Sequence, residues 1–326
     1  KWLGYFVLFL LLLSVLFSIP AVQSKLANYA TQKINKNFKT TISIKKIDLS
    51  LLGNVQLKGV EIKDHHQDTL IFVKKLSTSL LNAKKVLENE VNLGSVSIDG
   101  AYVYMKTYKG ETDDSMAVFI DSFGESSPKD SLVTPFTLRS SNVYLNDLHY
   151  QLINFNSKRQ VSFSAKNTGG SLQDMLIYGP EFSAKIRGLY FVDNMGLEVT
   201  GLTTDFSYSK TAMHFKKTRL QTRKSDIIAD IDFTYKRKEL ASFNDKVQIK
   251  AIFDKSKIAV SDLKKYYNEL SGNDVINLSG NLNGKLNNFD LTKLSLNSKN
   301  GIKIIGDLEF VNAVNFERGL VFKGYL

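Results

Sequence analysis

The sequence predicts a mainly β protein in which one N-terminal apolar helix precedes a long antiparallel sheet. Three observations carry this. Residues 2–22 hold no charge and are almost wholly apolar. From Thr41 onward the dominant hydrophobic period is two, as in a strand whose successive side chains point to opposite faces. Stretches of helical periodicity are short and few.

The elements follow in chain order. WLGYFVLFLLLLSVLFSIPAV, from Trp2 to Val22, has the about 20 apolar residues that take a helix across a bilayer. Residues 1–22 are therefore expected to form a transmembrane anchor built on Phe6, Leu10, Leu13 and Phe17, with Trp2 and Tyr5 at an interface. A cleavable signal peptide is the rival, since AVQS before Lys25 has the small residues of a cleavage site. Pro20 ends or kinks the helix. Residues 23–40 read as an amphipathic helix through Leu26, Tyr29, Ile34 and Phe38, either lying on the membrane surface or capping the sheet that follows.

Residues 41–123 read as an N-terminal β region. Ile42, Ile44, Ile47, Leu49 and Leu51 alternate with polar residues, Gly53-Asn54 marks a turn, and Val55, Leu57, Val60 and Ile62 resume the pattern. GESSPKDS, residues 124–131, is the clearest linker or loop. Residues 132–326 continue the ladder in NVYLNDLHYQL, AKIRGLYFVD, IIADIDFTYKR, VQIKAIFDKS, INLSGNLNGKL and GIKIIGDLEF. Several runs carry a mid-strand Gly or Asp-Gly, where a β-bulge is expected. Helices are expected at Ser79–Glu88 and at Ser261–Leu270, the latter with Ser261 as N-cap, and Asp113–Phe123 reads as a short turn or loop. The chain opens on Lys1 and closes inside a strand-like run, VFKGYL, so the natural protein is expected to be longer.

Composition narrows the function classes. A net charge of +11 suits an anionic surface such as a membrane, but the lysines are scattered along alternating strands, which argues against nucleic acid. There is no cysteine, so disulfides, thiolate metal sites and a cysteine nucleophile are excluded. His65-His66 in KDHHQD offers metal ligands, yet its place between two strand runs reads as a polar hairpin loop, and no metal is assigned. His149 and His214 stand alone on strands. No nucleophile elbow, zinc-protease helix or supported carboxylate pair is present, so a non-enzymatic role without cofactors is expected.

An apolar sheet face must be buried against something, and two short helices cannot cover a ladder of about twenty strands. Two solutions remain: a closed sandwich, which periodicity alone favours, or a sheet curled along its length around an apolar gutter. INLSGNLNGKL shows the face in question. Ile276, Leu278, Gly280, Leu282, Gly284 and Leu286 share one side, and the two glycines either leave space there or let the strand bend.

The phrases TTISIKKIDLSLLGNVQLKGVEIKD, DTLIFVKKLSTSLL, LGSVSIDGAYVYMKTYKGE and LSGNLNGKLNNFDLTKLSLNSKNGIKIIGDLEF, behind an apolar anchor, resemble the N-terminal portion of AsmA-like proteins. The likeness is strongest to the TamB (translocation and assembly module) branch of Bacteroidetes-type bacteria. The resemblance implies a long curled antiparallel β-sheet, a β-taco or groove, anchored in the inner membrane with its bulk in the periplasm. It implies conduction of phospholipid toward the outer membrane, in partnership with an outer-membrane barrel of the BamA/TamA type. A scaffold for outer-membrane protein assembly or secretion is the alternative. On the groove reading, the lining is expected to include Ile231, Phe233, Leu278, Leu282, Leu286, Ile302, Ile304, Leu308 and Phe310.

Overall fold

The computed structural model describes residues 25, 28–29, 31–32, 35–36, 39–50, 54–79, 90–123, 135–158, 160–267, 270–314 and 319–325. The expected anchor (1–22), the linker (124–131) and the helix at Ser79–Glu88 beyond Ser79 lie outside them. No helix among the described residues is long and apolar enough to cross a membrane. The fold is mainly β, and the chain divides into two compact units, Lys1–Pro180 and Glu181–Leu326.

In the first unit, the described residues between 25 and 36 are helical. Asn35 ties them to the sheet: its side-chain Nδ2 donates to the Ile42 carbonyl at 2.9 Å and its Oδ1 accepts the Ile42 N–H at 2.8 Å. One amide side chain thus covers an edge peptide that would otherwise be open to pairing. The sheet comprises β1 (Thr41–Leu49), β2 (Asn54–Lys63), β3 (Thr69–Ser79), β4 (Glu90–Leu93), β5 (Val96–Thr107), β6 (Thr137–Asn154) and β7 (Val161–Tyr178). Their order is β1-β2-β3-β5-β6-β7, with β4 beside β6.

The expectation of a purely antiparallel sheet fails at β6, which runs parallel to both β4 and β5. A parallel neighbour needs a crossover rather than a hairpin. The stretch read as a turn or loop at Asp113–Phe123 supplies part of it as α1 (Ser115–Asp121). Asp114 caps this helix by accepting the Ala117 N–H at 2.9 Å. The fully buried Ser115 hydroxyl accepts the Lys106 N–H at 2.9 Å, which pins the helix to β5.

The second unit is an antiparallel meander of nine strands: β8 (Glu181–Asp193), β9 (Glu198–Tyr208), β10 (Ala212–Thr222), β11 (Asp226–Thr234), β12 (Gln248–Ala259), β13 (Val275–Lys285), β14 (Asn288–Ser298), β15 (Lys303–Val311) and β16 (Val321–Tyr325). Between β11 and β12 the chain makes an unforeseen 3-10 turn (Arg237–Ser242) that runs into α2 (Phe243–Lys246). The helix expected at Ser261–Leu270 is a single turn, α3 (Val260–Leu263), and its N-cap is Ala259 rather than Ser261.

Five strands of this unit carry a bulge: β9 between Val199 and Leu202, and four that turn left-handed, β8 after Ile186, β10 after Phe215, β12 after Phe253 and β14 after Leu291. Each of the latter four places one residue in the left-handed region, namely Gly188, Lys217, Lys255 and Lys293, with φ of 59°, 51°, 44° and 53°. The sequence reading put bulges at glycines, but three of the four use lysine. The freed N–H of each bulge residue is taken by a side chain one strand on: Thr203 Oγ1 at 3.3 Å, Asp230 Oδ1 at 2.7 Å, Ser279 Oγ at 3.0 Å and Asp307 Oδ1 at 2.8 Å. All four left-handed bulges are therefore clamped, on alternate strands.

The clamps give a stability prediction. Asp230→Ala leaves the Lys217 N–H without its acceptor and is expected to cost about 1–2 kcal/mol. Lys217→Gly removes a Cβ from a left-handed position and is expected to be neutral or to stabilise by up to about 1 kcal/mol. Urea titration of the two variants beside the parent checks both signs.

Candidate functional site

The bulges decide which side chains share a face. A strand that gains one residue would otherwise send every later side chain to the opposite face. In β14, Phe289 and Leu291 precede the bulge and Leu294 and Leu296 follow it, yet all four meet the same side of β13 and β15. In β12, Ile249, Ala251 and Phe253 are continued by Ser256 and Ile258. In β10, Met213 and Phe215 are continued by Thr218 and Leu220. The extra residue keeps the apolar phase on one side along the full strand.

The result is a face apolar across the unit. One row runs from Ala184 to Phe206, Phe215 and Ile231, then through Ala251, Leu282 and Leu291 to Leu308. The row beside it is aromatic at both ends, through Phe182, Tyr208 and Phe233 at one and Phe289, Phe310 and Phe322 at the other, and rings also meet between the two rows. Phe206 lies 5.9 Å from Phe182 and 4.7 Å from Phe215, and Phe215 lies 6.0 Å from Phe233, centroid to centroid. Phe310 stacks on Phe289 at 4.9 Å and approaches Phe322 at 6.4 Å. Such pairs add about 0.5–1.5 kcal/mol each beyond the area they bury.

Seven of the nine residues expected as lining lie on this face. Ile231 faces Phe215 and Ala251, and Phe233 faces Met213 and Ile249. Leu278 and Ile304 both face Leu296, and Leu282 and Leu308 both face Leu291. Phe310 faces Phe289. The other two sit in turns: Leu286 is in the two-residue hairpin closed by the Lys285–Asn288 pair, and Ile302 precedes β15 in the β14–β15 turn, 51% exposed. Alternation carried past the end of a strand is what placed them on the face. The four apolar residues of β14 were missed because NFDLTKLSLNS breaks alternation at Lys293. The signal was there, as an apolar phase that resumes one residue late.

Among the described residues no second sheet covers this face; the turn Arg237–Lys246 meets one end of it, where the Phe243 ring lies 5.5 Å from Phe233. Every substantial strand–strand contact is with a hydrogen-bonded neighbour, so the sandwich favoured by periodicity is not formed. Among the described residues, the largest fully buried apolar side chains are Leu70, Val247 and Leu294. Ile231, Phe233, Leu278, Leu282, Ile304, Leu308 and Phe310 are only half-buried, shielded by adjacent side chains.

The opposite face is polar and ionic. Arg187 Nη2 lies 2.7 Å and Lys217 Nζ 3.4 Å from the Asp205 carboxylate. Arg219 forks onto Asp226, with both hydrogen bonds at 2.8 Å. The Arg187 hydrogen bond holds Asp205, and the Arg219 hydrogen bond holds Asp226, below the usual carboxylate range. His214 and Lys216 meet at Asp232, at 2.6 and 2.7 Å. No nucleophile joins that cluster, and its side chains are partly exposed. The hydroxyls of the apolar face at Thr218 and Ser256 are buried and hydrogen-bonded within the sheet, so what that face offers a ligand is contact with alkyl or aryl groups.

The chain matches no protein-family model, and no curated protein matches it significantly.

Proposed function

We propose that the chain is a non-catalytic, inner-membrane-anchored β-groove protein that shields phospholipid acyl tails in the periplasm and conducts them between the inner and outer membranes. The observation that carries this reading is the apolar face of the second unit, which no second sheet covers among the described residues and which clamped bulges keep in phase. Such a face exposed to water is unfavourable, and acyl chains would relieve it at about 0.8 kcal/mol for each methylene buried. The sheet curls around the tails, the head groups stay in water, and the ionic face is turned outward. The apolar stretch at residues 2–22 supplies the membrane anchor, and a face that offers a ligand alkyl or aryl contact keeps each step weak enough for lipid to move along it. A BamA/TamA-type barrel is the outer-membrane partner on this reading.

A photocrosslinking amino acid at Leu282 and, separately, at its polar-face neighbour Asn281 tests the proposal in cells. Lipid adducts are expected at position 282 and not at 281. A scaffold for outer-membrane protein assembly would work through strand edges, so protein adducts at 282 without lipid would overturn the conduit.

A further inference from the structure

The hairpin loop between β2 and β3 reaches a residue that no local motif connects to it. His65 Nε2 lies 2.9 Å from Glu111 Oε2, and His66 Nε2 lies 2.7 Å from Glu111 Oε1. The three ligand-bearing groups fall within 4.8 Å of one another. We propose that His65, His66 and Glu111 bind a divalent cation of the zinc class, a site at one end of the first unit separate from the apolar face.

The donor set fits that class. Imidazole nitrogen suits zinc, nickel and copper, whereas magnesium and calcium take oxygen. Tetrahedral zinc with ligand bonds of about 2.0–2.1 Å keeps its ligand atoms about 3.3 Å apart. The two His–Glu separations open to that with shifts of a few tenths of an ångström, and all three groups already lie within 4.8 Å of one another. Two imidazoles and one carboxylate leave a fourth position for water, and the partly exposed side chains leave it open to solvent.

Both sides of the site are held in place by groups that would not touch the ion. Asp64 is 3% exposed, and its Oδ1 accepts the N–H groups of His66 and Asp68 at 2.9 and 3.0 Å. The Tyr108 hydroxyl shares its one proton between Asp64 Oδ2 at 2.7 Å and Asp68 Oδ2 at 2.9 Å. The Tyr108 ring stacks on His66, with centroids 3.8 Å apart, and meets His65 edge-on at 5.6 Å. Glu111 is fixed from the opposite direction. Asn156 Nδ2 donates to its carbonyl at 2.9 Å, and Asn156 Oδ1 accepts the Gly110 N–H at 2.8 Å. Three loops thus converge on the trio, which is the support a preorganised metal site requires. A bound ion would lock the β2–β3 loop to the loop after β5.

Zinc titration of the purified full chain by calorimetry, with millimolar magnesium and calcium present, decides it. One saturable site per chain is expected, together with a zinc-dependent rise in melting temperature. Glu111→Gln and His66→Ala should each weaken binding by at least about tenfold. The His65→Ala/His66→Ala/Glu111→Gln chain should lose both signals while keeping the circular dichroism of the parent, because all three side chains are partly exposed. Absence of saturable binding up to about 100 μM zinc, weaker than structural zinc sites bind, would overturn the proposal. So would binding that survives in the triple variant, or that millimolar magnesium and calcium abolish.

Discussion

Replacing Leu282 and Ile304 together by glutamate is expected to strip phospholipid from the purified chain while leaving the chain folded. Leu282 stands between Ala251 and Leu291, and Ile304 stands opposite Leu296, so the pair spans β13 to β15 on the apolar face. Neither side chain is sealed in a core; both are half-buried. A carboxylate there can bend toward water, and the cost to folding stays well below that of a charge in a closed interior. An acyl tail crossing the same place has no such escape. Losing contact with two or three methylenes removes about 2 kcal/mol, or about thirtyfold in occupancy. The matched control is Asn281→Glu with Ile305→Glu, which adds the same charge one residue away on the polar face. Phospholipid extracted from equal amounts of folded protein is the readout. Retention of lipid by the Leu282/Ile304 variant at the parent level would remove the groove from those positions.

Gly284→Ala is expected to be the most damaging single methyl addition in the second unit. Gly284 has φ of 144°, and a Cβ there would sit 2.6 Å from both the Asn288 carbonyl oxygen and the Phe289 Cα. Both are backbone atoms of the partner strand and cannot rotate aside. Backbone strain and overpacking together amount to about 3 kcal/mol. Hydrogen exchange gives a local measure, and amide protection in β13 and β14 should fall by about two orders of magnitude. Gly188→Ala is the comparison. Its φ of 59° is also left-handed, but nothing lies within 4 Å of the added methyl, so about 1 kcal/mol is expected from conformation alone. Similar losses at the two sites would mean that crowding by β14 is not what demands glycine at 284.

This alters the meaning of the glycines in INLSGNLNGKL. They stand on the apolar phase, as alternation requires, but neither is the extra residue of a bulge. Gly280 sits opposite the β14 bulge, where a Cβ would come 3.2 Å from the Leu294 Cα, and Gly284 admits the turn into β14. The residues that do break the strands are mostly lysines, whose left-handed backbone is offset by an acceptor such as Asp230, Ser279 or Asp307. A lysine in a strand reads from sequence as one more solvated residue, so three of the four left-handed bulges left no recognisable mark.

The strands themselves were legible. Alternation over seven or more residues marks a face whatever lies opposite, which is why Ile231, Phe233, Leu278, Leu282, Ile304, Leu308 and Phe310 could be assigned to one side. Glu111 was not legible as a companion of His65 and His66, because it lies 46 and 45 residues away and is brought to them only by the β2–β3–β5 pairing. The parallel run of β5 beside β6 was hidden for the same reason, since a period of two is identical for parallel and antiparallel strands. Sequence alone determined the β architecture, the apolar phase and the lack of a catalytic motif, because these follow from local alternation and residue chemistry. Only the tertiary structure decided that no second sheet lies over the face among the described residues, that clamped bulges hold it in phase, and which side chains meet across the loops. Those depend on pairing between distant segments, which no local period encodes.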